Sequence, residues 1–261
     1  MIRSLYTAAT GMKAQQLYLD NISNNLANVN TTGFKRSQVN FQDLLYDKEH
    51  VAGSESSQGF EIPTGIQLGG GVRPIGTTKV FSPGNLQNTG RSLDLAIGGN
   101  GFFQISRPDG TIAYTRDGSF ELNSKGELVT AEGLPLSPSI TILDAKEISV
   151  GTDGTVYVKG GDSSGTIQNV GQIMLATFPN PAGLDALGRN LFAETIATGA
   201  PVVSIPGEQG TGEVVQGFLE NSNVDTVTEL VNLITAQRGY EINSRSIKAS
   251  DEMLQTINQV A

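Results

Sequence analysis

The chain has no cysteine, no tryptophan and a single histidine, His50. Without cysteine it has no disulfides and no thiolate metal sites. A histidine-based nucleophilic triad would have to use His50, which lies in a polar stretch with no apolar residues to shield it. These absences argue against cysteine- or histidine-based catalysis, and we expect neither a metal nor a cofactor.

The sequence also lacks a long apolar run and an excess of basic residues. No stretch approaches the roughly 20 apolar residues of a membrane-spanning helix, and the N-terminus has no apolar core of a cleavable signal peptide. If the protein leaves the cytoplasm, we therefore expect a dedicated export route. The net charge of −9 argues against a large phosphate-binding surface, so we expect no nucleic-acid partner.

Carboxylates remain as possible catalytic groups, because paired acids can hydrolyse a glycoside. Four aspartates are available in the β-rich part of the chain: Asp94, Asp109, Asp117 and Asp153. Three of the four are followed directly by glycine, and a turn explains an Asp-Gly pair fully. The glycine clusters at 69–71 and 98–101 lack the strand, loop and helix context of a nucleotide-binding loop. We expect no catalytic residue.

The N-terminal segment predicts an amphipathic helix that is rich in asparagine. The stretch "LDNISNNLANVNTTGFKR" (19–36) carries five asparagines, yet its apolar residues keep helical spacing. Further upstream, leucine and methionine recur every seven residues, which is typical of a helix that packs on other helices. We expect the helix to end at Thr31-Thr32-Gly33, with Gly33 at the position after the C-cap.

The C-terminal segment predicts a second, longer helix. Residues 223–261 contain no proline and only one glycine, and apolar residues again recur every seven positions. Ser222 followed by Asp225 is a plausible capping-box start. We expect the two terminal helices to pair with each other and then with copies from other subunits. The alternative is that each helix only docks on the core of its own chain.

Between the helices the period changes to two. Apolar residues make up 38% of the chain and glycine numbers 32, a balance typical of short strands joined by turns. Residues 92–105 predict two strands around a glycine-rich kink, and 111–130 predict hairpins that turn at Asp117-Gly118 and at 123–126.

The β pattern continues beyond these hairpins. Asp153-Gly154 predicts a further hairpin, and residues 172–178 and 213–220 predict further strands. No helices alternate with these strands, so we expect a mostly antiparallel β domain. Residues 46–74 show little periodicity and predict an extended connector.

Four long motifs resemble one known family, the rod and hook proteins that form the axis of the bacterial flagellum. They are "NNLANVNTTGFKR", "LDLAIGGNGFF", "YTRDGSFELNSKGELVT" and "SNVDTVTELVNLITAQRGYEINSRSIKASDEML". The resemblance covers essentially the whole chain. Within the family it is greatest to subunits of the distal part of the rod, through residues 62–90 and the extra length between Tyr46 and Pro63.

The resemblance implies an α+β subunit of three parts. Long N- and C-terminal helices (1–33 plus 222–261) would form a coiled-coil-like inner assembly domain. An extended connector would follow (34–74 plus 205–221), with an outer, mostly antiparallel β domain (75–204).

The resemblance also implies a function: a noncatalytic subunit of a rigid tubular drive shaft that carries torque from motor to hook. Its partners would be further copies of itself, the proximal rod proteins, a hook or hook-junction protein and the flagellar export apparatus. Ring proteins at the levels of the peptidoglycan and the outer membrane would surround it. The protein would be exported without a cleaved signal peptide into the basal body, from the periplasm to the outer membrane. Two alternatives stay open: another axial protein (proximal rod or hook), or a secreted β-rich binding or carbohydrate-active protein.

Three sets of residues are candidate functional residues. The first is the apolar assembly seam of the two helices: Leu5, Met12, Leu19, Ile22, Leu26, Val29, Leu230, Leu233, Tyr240, Ile247, Leu254 and Ile257. The second is the family motif: Asn24, Asn25, Leu26, Ala27, Asn28, Thr31, Gly33, Phe34, Lys35 and Arg36. Its amides are expected to bond across subunits, and Lys35 and Arg36 to meet acidic or carbonyl groups of a neighbour. The third is the pair Phe60 and Ile62, expected to anchor the connector on an adjacent subunit and stiffen the shaft.

Overall fold

Two long helices stand at the ends of the chain, and short strands lie between them in the sequence. The computed structural model describes residues 2–50, 55–57, 60–61, 64–143, 145–160 and 167–260. The chain forms two compact units, one made of residues 1–26, 37–78 and 225–261 and the other of 27–36 and 79–224. The class is therefore α+β, with a central β region that is mostly antiparallel.

The first unit holds both helices and six strands. The elements are α1 (Ile2–Ala27), β1 (Ser37–Asp43), β2 (Tyr46–His50), β3 (Glu55–Ser57), β4 (Phe60–Glu61), β5 (Ile66–Gly69), β6 (Val72–Lys79) and, at the end of the chain, α2 (Thr226–Val260). The helix α2 has 35 residues, which corresponds to about 52 Å at 1.5 Å per residue. Strands β1 and β6 pair, β2 pairs with β5, and β3 pairs with β4.

Both helix ends differ from their predicted positions. Helix α1 ends at Ala27, so Gly33 lies well beyond it and is not its C-terminal glycine. Helix α2 is capped by Asp225 and not by Ser222. The Asp225 carboxylate accepts hydrogen bonds from the Val227 N–H (3.0 Å) and the Thr228 hydroxyl (2.8 Å), and the latter bond is the main cause that lowers the pKa of Asp225.

The predicted extended connector folds back on itself where it is described. Strands β2 and β5 form an exposed antiparallel ribbon in which Tyr46 lies opposite Gly69, and the short β3 and β4 pair beyond it. The backbone N–H and carbonyl groups of these strands bond to each other, so a segment with little apolar periodicity can still form strands. Ile62 lies outside the described residues, and the description of Phe60 is limited to its backbone.

The second unit is a set of small sheets around two buried apolar clusters. Its strands are β7 (Leu86–Asn88), β8 (Leu95–Gly98), β9 (Phe102–Ser106), β10 (Ile112–Thr115), β11 (Phe120–Leu122), β12 (Leu128–Thr130), β13 (Ala145–Val150), β14 (Thr155–Gly160), β15 (Ile167–Gln172), β16 (Leu175–Thr177), β17 (Asp185–Gly188), β18 (Leu191–Ala193), β19 (Val202–Ser204), β20 (Glu213–Gln216) and β21 (Phe218–Glu220), with a 3-10 turn at Pro181–Gly183. The largest sheet has six antiparallel strands in the order β17-β18-β10-β9-β16-β19.

Most predicted turns in this unit are confirmed. The glycine-rich kink separates β8 from β9, residues 123–127 join β11 to β12, and Asp153-Gly154 joins β13 to β14. The predicted hairpin turn at Asp117-Gly118 is wrong. Strand β10 pairs with β9 and β18, and β11, which follows the turn, belongs to another sheet. A Cβ at Gly118 would lie 1.6 Å from the Leu95 carbonyl oxygen, so this glycine is needed for a close backbone contact and not for a hairpin.

Candidate assembly interface

Helices α1 and α2 run antiparallel in the first unit and approach through small residues. The hydroxyls of Ser4 and Ser250 lie 3.5 Å apart. A Cβ on Gly11 would lie 2.9 Å from the Asn243 amide nitrogen. These contacts descend along one helix as they ascend along the other, and three alanines of the two helices are buried: Ala8, Ala14 and Ala236. The close contact therefore depends on small residues, because Gly11 leaves room for the Asn243 side chain.

The predicted seam residues are not the residues of this close contact, and Val29 lies beyond the end of α1 at Ala27. Ile22 is buried within the unit. The other seam residues are half-buried or exposed: Leu5, Met12, Leu19, Leu26, Val29, Leu233, Ile247 and Leu254 are half-buried, and Leu230, Tyr240 and Ile257 are exposed. Sequence reasoning missed the small residues because it followed large apolar side chains. The seven-residue spacing of Ser4 and Gly11 carried the signal.

The first turns of α2 carry apolar residues on two neighbouring faces, one buried and one exposed. One face contains the buried Ala236 and the half-buried Leu233. The other face, which we call the outer patch, consists of Val227, Leu230, Val231 and Ile234, exposed by 68%, 47%, 57% and 50%. Their spacing of three, four and seven residues places them on one stripe of the helix. An amphipathic helix needs only one apolar face to pack on its own chain.

The amides of the family motif are used within the chain. Asn25 is buried, and its side chain bonds both the N–H and the carbonyl of Ser37 at 2.9 Å. The expectation that this amide bonds across subunits is wrong for Asn25, which instead holds the start of β1 against the last turn of α1. Beyond the helix, the Thr31 hydroxyl donates to the Asn28 side-chain oxygen at 3.2 Å. Asn24 and Ala27 are exposed, and Leu26 is half-buried.

Gly33 is required by a close approach inside the second unit. Its φ is +67°, its N–H donates to the Glu220 carbonyl at 2.7 Å, and a Cβ would lie 2.7 Å from the Arg116 carbonyl carbon. Any other residue at Gly33 would therefore be strained and would also clash with backbone.

Lys35 is buried in a charged cluster and not directed at a neighbour. Its ammonium donates to the Glu220 carboxylate at 2.5 Å and to the Ser82 carbonyl at 2.9 Å. The other carboxylate oxygen of Glu220 accepts from the Arg116 guanidinium at 3.4 Å. Burial lowers the pKa of Lys35 more than Glu220 raises it, and nearby Arg116 lowers it further. The expectation that Lys35 meets an adjacent subunit is wrong.

The remaining motif residues surround this cluster. The Arg36 N–H donates to the Asn223 side-chain oxygen at 2.8 Å, and that Asn223 amide in turn donates to the Val80 carbonyl at 2.8 Å. The Lys79 ammonium lies 5.0 Å from the centre of the Phe34 ring. Phe34, Lys35 and Arg36 therefore anchor their own chain segment in the second unit.

The aspartates considered as catalytic groups mostly serve turns. Asp109, Asp117 and Asp153 each accept a backbone N–H from the residue two positions later, at 3.0–3.1 Å. Hydrogen bonds from Thr111 and Thr155 lower the pKa values of Asp109 and Asp153. Asp94 is buried and accepts the Thr89 hydroxyl at 2.6 Å.

The described ranges contain neither a metal-binding cluster nor a helix that could span a membrane. No group of three or more His, Asp or Glu residues there could hold a metal ion. Neither α1 nor α2 combines the length and the apolar character that crossing a membrane requires.

Three family models match this chain. They describe the flagellar hook protein FlgE/F/G D1 domain (residues 96–158), the C-terminal part of the flagellar basal body rod FlgEFG protein (215–260) and the flagella basal body rod protein (5–35). The three matched ranges fall on α1, on the central strands and on α2 with the strands before it, and all three models describe flagellar rod or hook proteins.

Individual relatives identify the family within this class. The flagellar basal-body rod protein FlgG of Buchnera aphidicola (subspecies Schizaphis graminum) is 50% identical over 261 residues and covers 100% of both chains. FlgG of Borreliella burgdorferi is 46% identical over 263 residues (100% of this chain, 99% of the relative), and FlgG of Bacillus subtilis is 44% identical over 265 residues (98% of each). The chain belongs to the FlgG family of flagellar basal-body rod proteins. It is a structural component of the flagellar basal body and not an enzyme, which removes the alternative of a secreted binding or carbohydrate-active protein.

Proposed function

We propose that the chain is the subunit of the distal rod, and that it polymerises into the rigid tubular shaft that carries torque from the motor to the hook. Relatives of 44–50% identity over nearly the whole chain, all named as the FlgG rod protein, support this assignment over a proximal rod or hook protein. The shaft would pass through the periplasm and the outer membrane. The flagellar export apparatus would deliver the subunit without a cleaved signal peptide.

The outer patch of α2 is the observation that carries the proposal. Burying a whole Val, Leu or Ile side chain contributes about 1.5–3 kcal/mol. The four patch side chains are about half-exposed, so their burial against neighbours would contribute roughly 4 kcal/mol per subunit. In a helical lattice every subunit would repeat this contact. We propose that the patch packs against terminal helices of other copies in a coiled-coil-like inner domain.

The rest of the domain division follows from this arrangement. We propose that 1–33 plus 222–261 form the inner assembly domain, 34–74 plus 205–221 the connector, and 75–204 the outer β domain. Proximal rod proteins and a hook or hook-junction protein would contact the two ends of the shaft. Ring proteins at the levels of the peptidoglycan and outer membrane would face the outer domain.

The connector is proposed to stiffen the shaft. Its ribbon of β2 and β5 exposes Tyr46, Ile66 and Leu68, and Leu45 beside it is 94% exposed. Laid along an adjacent subunit, these side chains would resist the sliding that a bending tube requires. Phe60 and Ile62 are proposed to extend the same contact.

A pair of substitutions on α2 tests the proposal. Val231→Asp puts a charge in the outer patch, where burial against a neighbour would cost several kcal/mol. Ser246→Asp puts the same charge on an exposed part of the helix outside the outer patch, 15 residues beyond Val231. We expect cells that carry only Val231→Asp to lack complete rods and to be non-motile, and cells with Ser246→Asp to build rods.

Circular dichroism of the purified chains provides the control, because both variants should keep the helix and strand content of the unsubstituted protein. Normal rods in cells with Val231→Asp would contradict the role of the outer patch.

A further inference from the structure

A cavity of about 330 Å³ opens on the surface of the second unit. Its rim is formed by exposed residues that include Asn100, Gln209 and Gly210. Its floor is formed by buried Phe102 and Arg116. Since one water occupies about 30 Å³ of liquid, the cavity has room for a side chain.

Arg116 is a buried cation whose hydrogen-bonding capacity is incompletely used. Its side chain is 2% exposed, and its Nε has no hydrogen-bond partner among the residues that the structure describes. One terminal nitrogen donates to Glu220 at 3.4 Å, and the guanidinium carbon lies 5.3 Å from the centre of the Phe102 ring. A guanidinium has five N–H donors, and leaving a buried one unpaired costs about 1–3 kcal/mol or more.

The charge around Arg116 is also unbalanced. Lys35 and Arg116 share a single carboxylate, that of Glu220, and all three side chains are buried. The Glu220 carboxylate lies closer to Lys35 than to Arg116, so it compensates the charge of Arg116 less fully. A second carboxylate beside Arg116 would balance this charge, and arginine forms strong charge-assisted hydrogen bonds with carboxylates.

We propose that this cavity receives the carboxylate of an Asp or Glu side chain from a second copy of the chain, and that Arg116 binds it at the cavity floor. The chain has 26 acidic against 17 basic residues, so a second copy presents an excess of carboxylates to a site that is open, aromatic and cationic. The inference rests on the proposed function, since it takes a neighbouring subunit of the shaft as the partner. The contact would lock outer domains together in register.

Gln209 on the rim provides a test that leaves Arg116 and Glu220 unchanged. Gln209→Glu places a carboxylate at the cavity mouth, where it competes with the incoming carboxylate and repels it. Gln209→Lys has a similar length and the opposite charge. In cells with only the variant chain, we expect the Glu variant to lower the number of complete rods at least about tenfold and the Lys variant to leave it unchanged.

The two variants give outcomes that overturn the proposal as clearly as they support it. If both variants lose complete rods equally, the rim tolerates no change of side chain whatever its charge. If neither variant loses complete rods, no carboxylate enters the cavity. Thermal unfolding of the purified chains checks the fold, and we expect the Glu variant to be at least as stable as the unsubstituted chain because its carboxylate can approach Arg116.

A labelling experiment provides a second measurement if either variant fails to fold. The chain has no cysteine, so the Gln209→Cys variant carries one thiol. We expect a maleimide to label it fully in the unassembled chain and to lose that labelling in isolated rods. Equal labelling in both states would overturn the inference. Failure of the proposed function gives a different result, because the unsubstituted chain would then form no rods.

Discussion

Glu220→Gln is the substitution that most directly tests how the second unit is held together. The carboxylate accepts hydrogen bonds from Lys35 (2.5 Å), the Gly84 N–H (2.8 Å) and Arg116 (3.4 Å). Glutamine keeps the shape but loses the charge. Its side-chain amide can place an oxygen toward only one group of donors, so its NH₂ must face a cation.

The expected cost follows from the burial of the three side chains, each 2% exposed or less. Removing one partner of a buried ion pair costs about 3–5 kcal/mol, because an uncompensated charge remains inside. That loss is a large part of the roughly 5–15 kcal/mol by which a protein of this kind is stable. The backbone of Glu220 is also held in place, because its carbonyl accepts a hydrogen bond from the Gly33 N–H at 2.7 Å.

Urea unfolding of the full chain, followed by near-ultraviolet circular dichroism of tyrosine and phenylalanine, measures the cost. Glu213→Gln, an exposed change on neighbouring strand β20, is the matched control and should cost less than about 0.5 kcal/mol. Adding Lys35→Met to Glu220→Gln should recover about 1 kcal/mol or more relative to the sum of the single changes. The reasoning is refuted if Glu220→Gln costs no more than the control.

Three further predictions concern pH, the termini and the connector. Burial raises the pKa of Tyr114 to about 12 from its usual 10.0. The neutral phenol therefore contributes its full stability to the folded state below pH 10, and this contribution is lost as pH rises toward 12. In a pH series of urea unfolding, the Tyr114→Phe variant should lack this loss, which amounts to up to about 2–3 kcal/mol. Protease should remove roughly the first 30 and last 35 residues of the unassembled chain while the β region survives, because the contacts of the two helices within one chain do not offset the entropy of ordering them. Protected ends in a demonstrated monomer would contradict this. Deleting residues 46–63 should leave assembly intact but give curved rods in electron micrographs, whereas straight rods would assign stiffness to the helices instead.

The sequence predicted the elements whose pattern is local. Seven-residue spacing predicted α1 and α2, and Asp153-Gly154 predicted the hairpin of β13 and β14, since both patterns depend on neighbours within a few residues. Asp225 was missed as the helix cap because Ser222 satisfies the same local rule. Only the actual hydrogen bond to Val227 separates the two candidates.

The contacts that the sequence did not predict are long-range. Lys35 and Glu220 are 185 residues apart, and no periodicity relates them. The sequence therefore predicts that Lys35 meets a neighbouring subunit, because a lysine with no visible partner usually lies at the surface. Gly33 was assigned to a helix end for the same reason, because its close approach to Arg116 exists only once the chain has folded.

Electron cryomicroscopy of isolated basal bodies, at a resolution that shows side chains, tests the central claim most directly. The account predicts that this chain forms the distal part of the rod and that Val227, Leu230, Val231 and Ile234 are buried against terminal helices of other copies. A rod in which this chain is present but the outer patch of α2 faces solvent would contradict it.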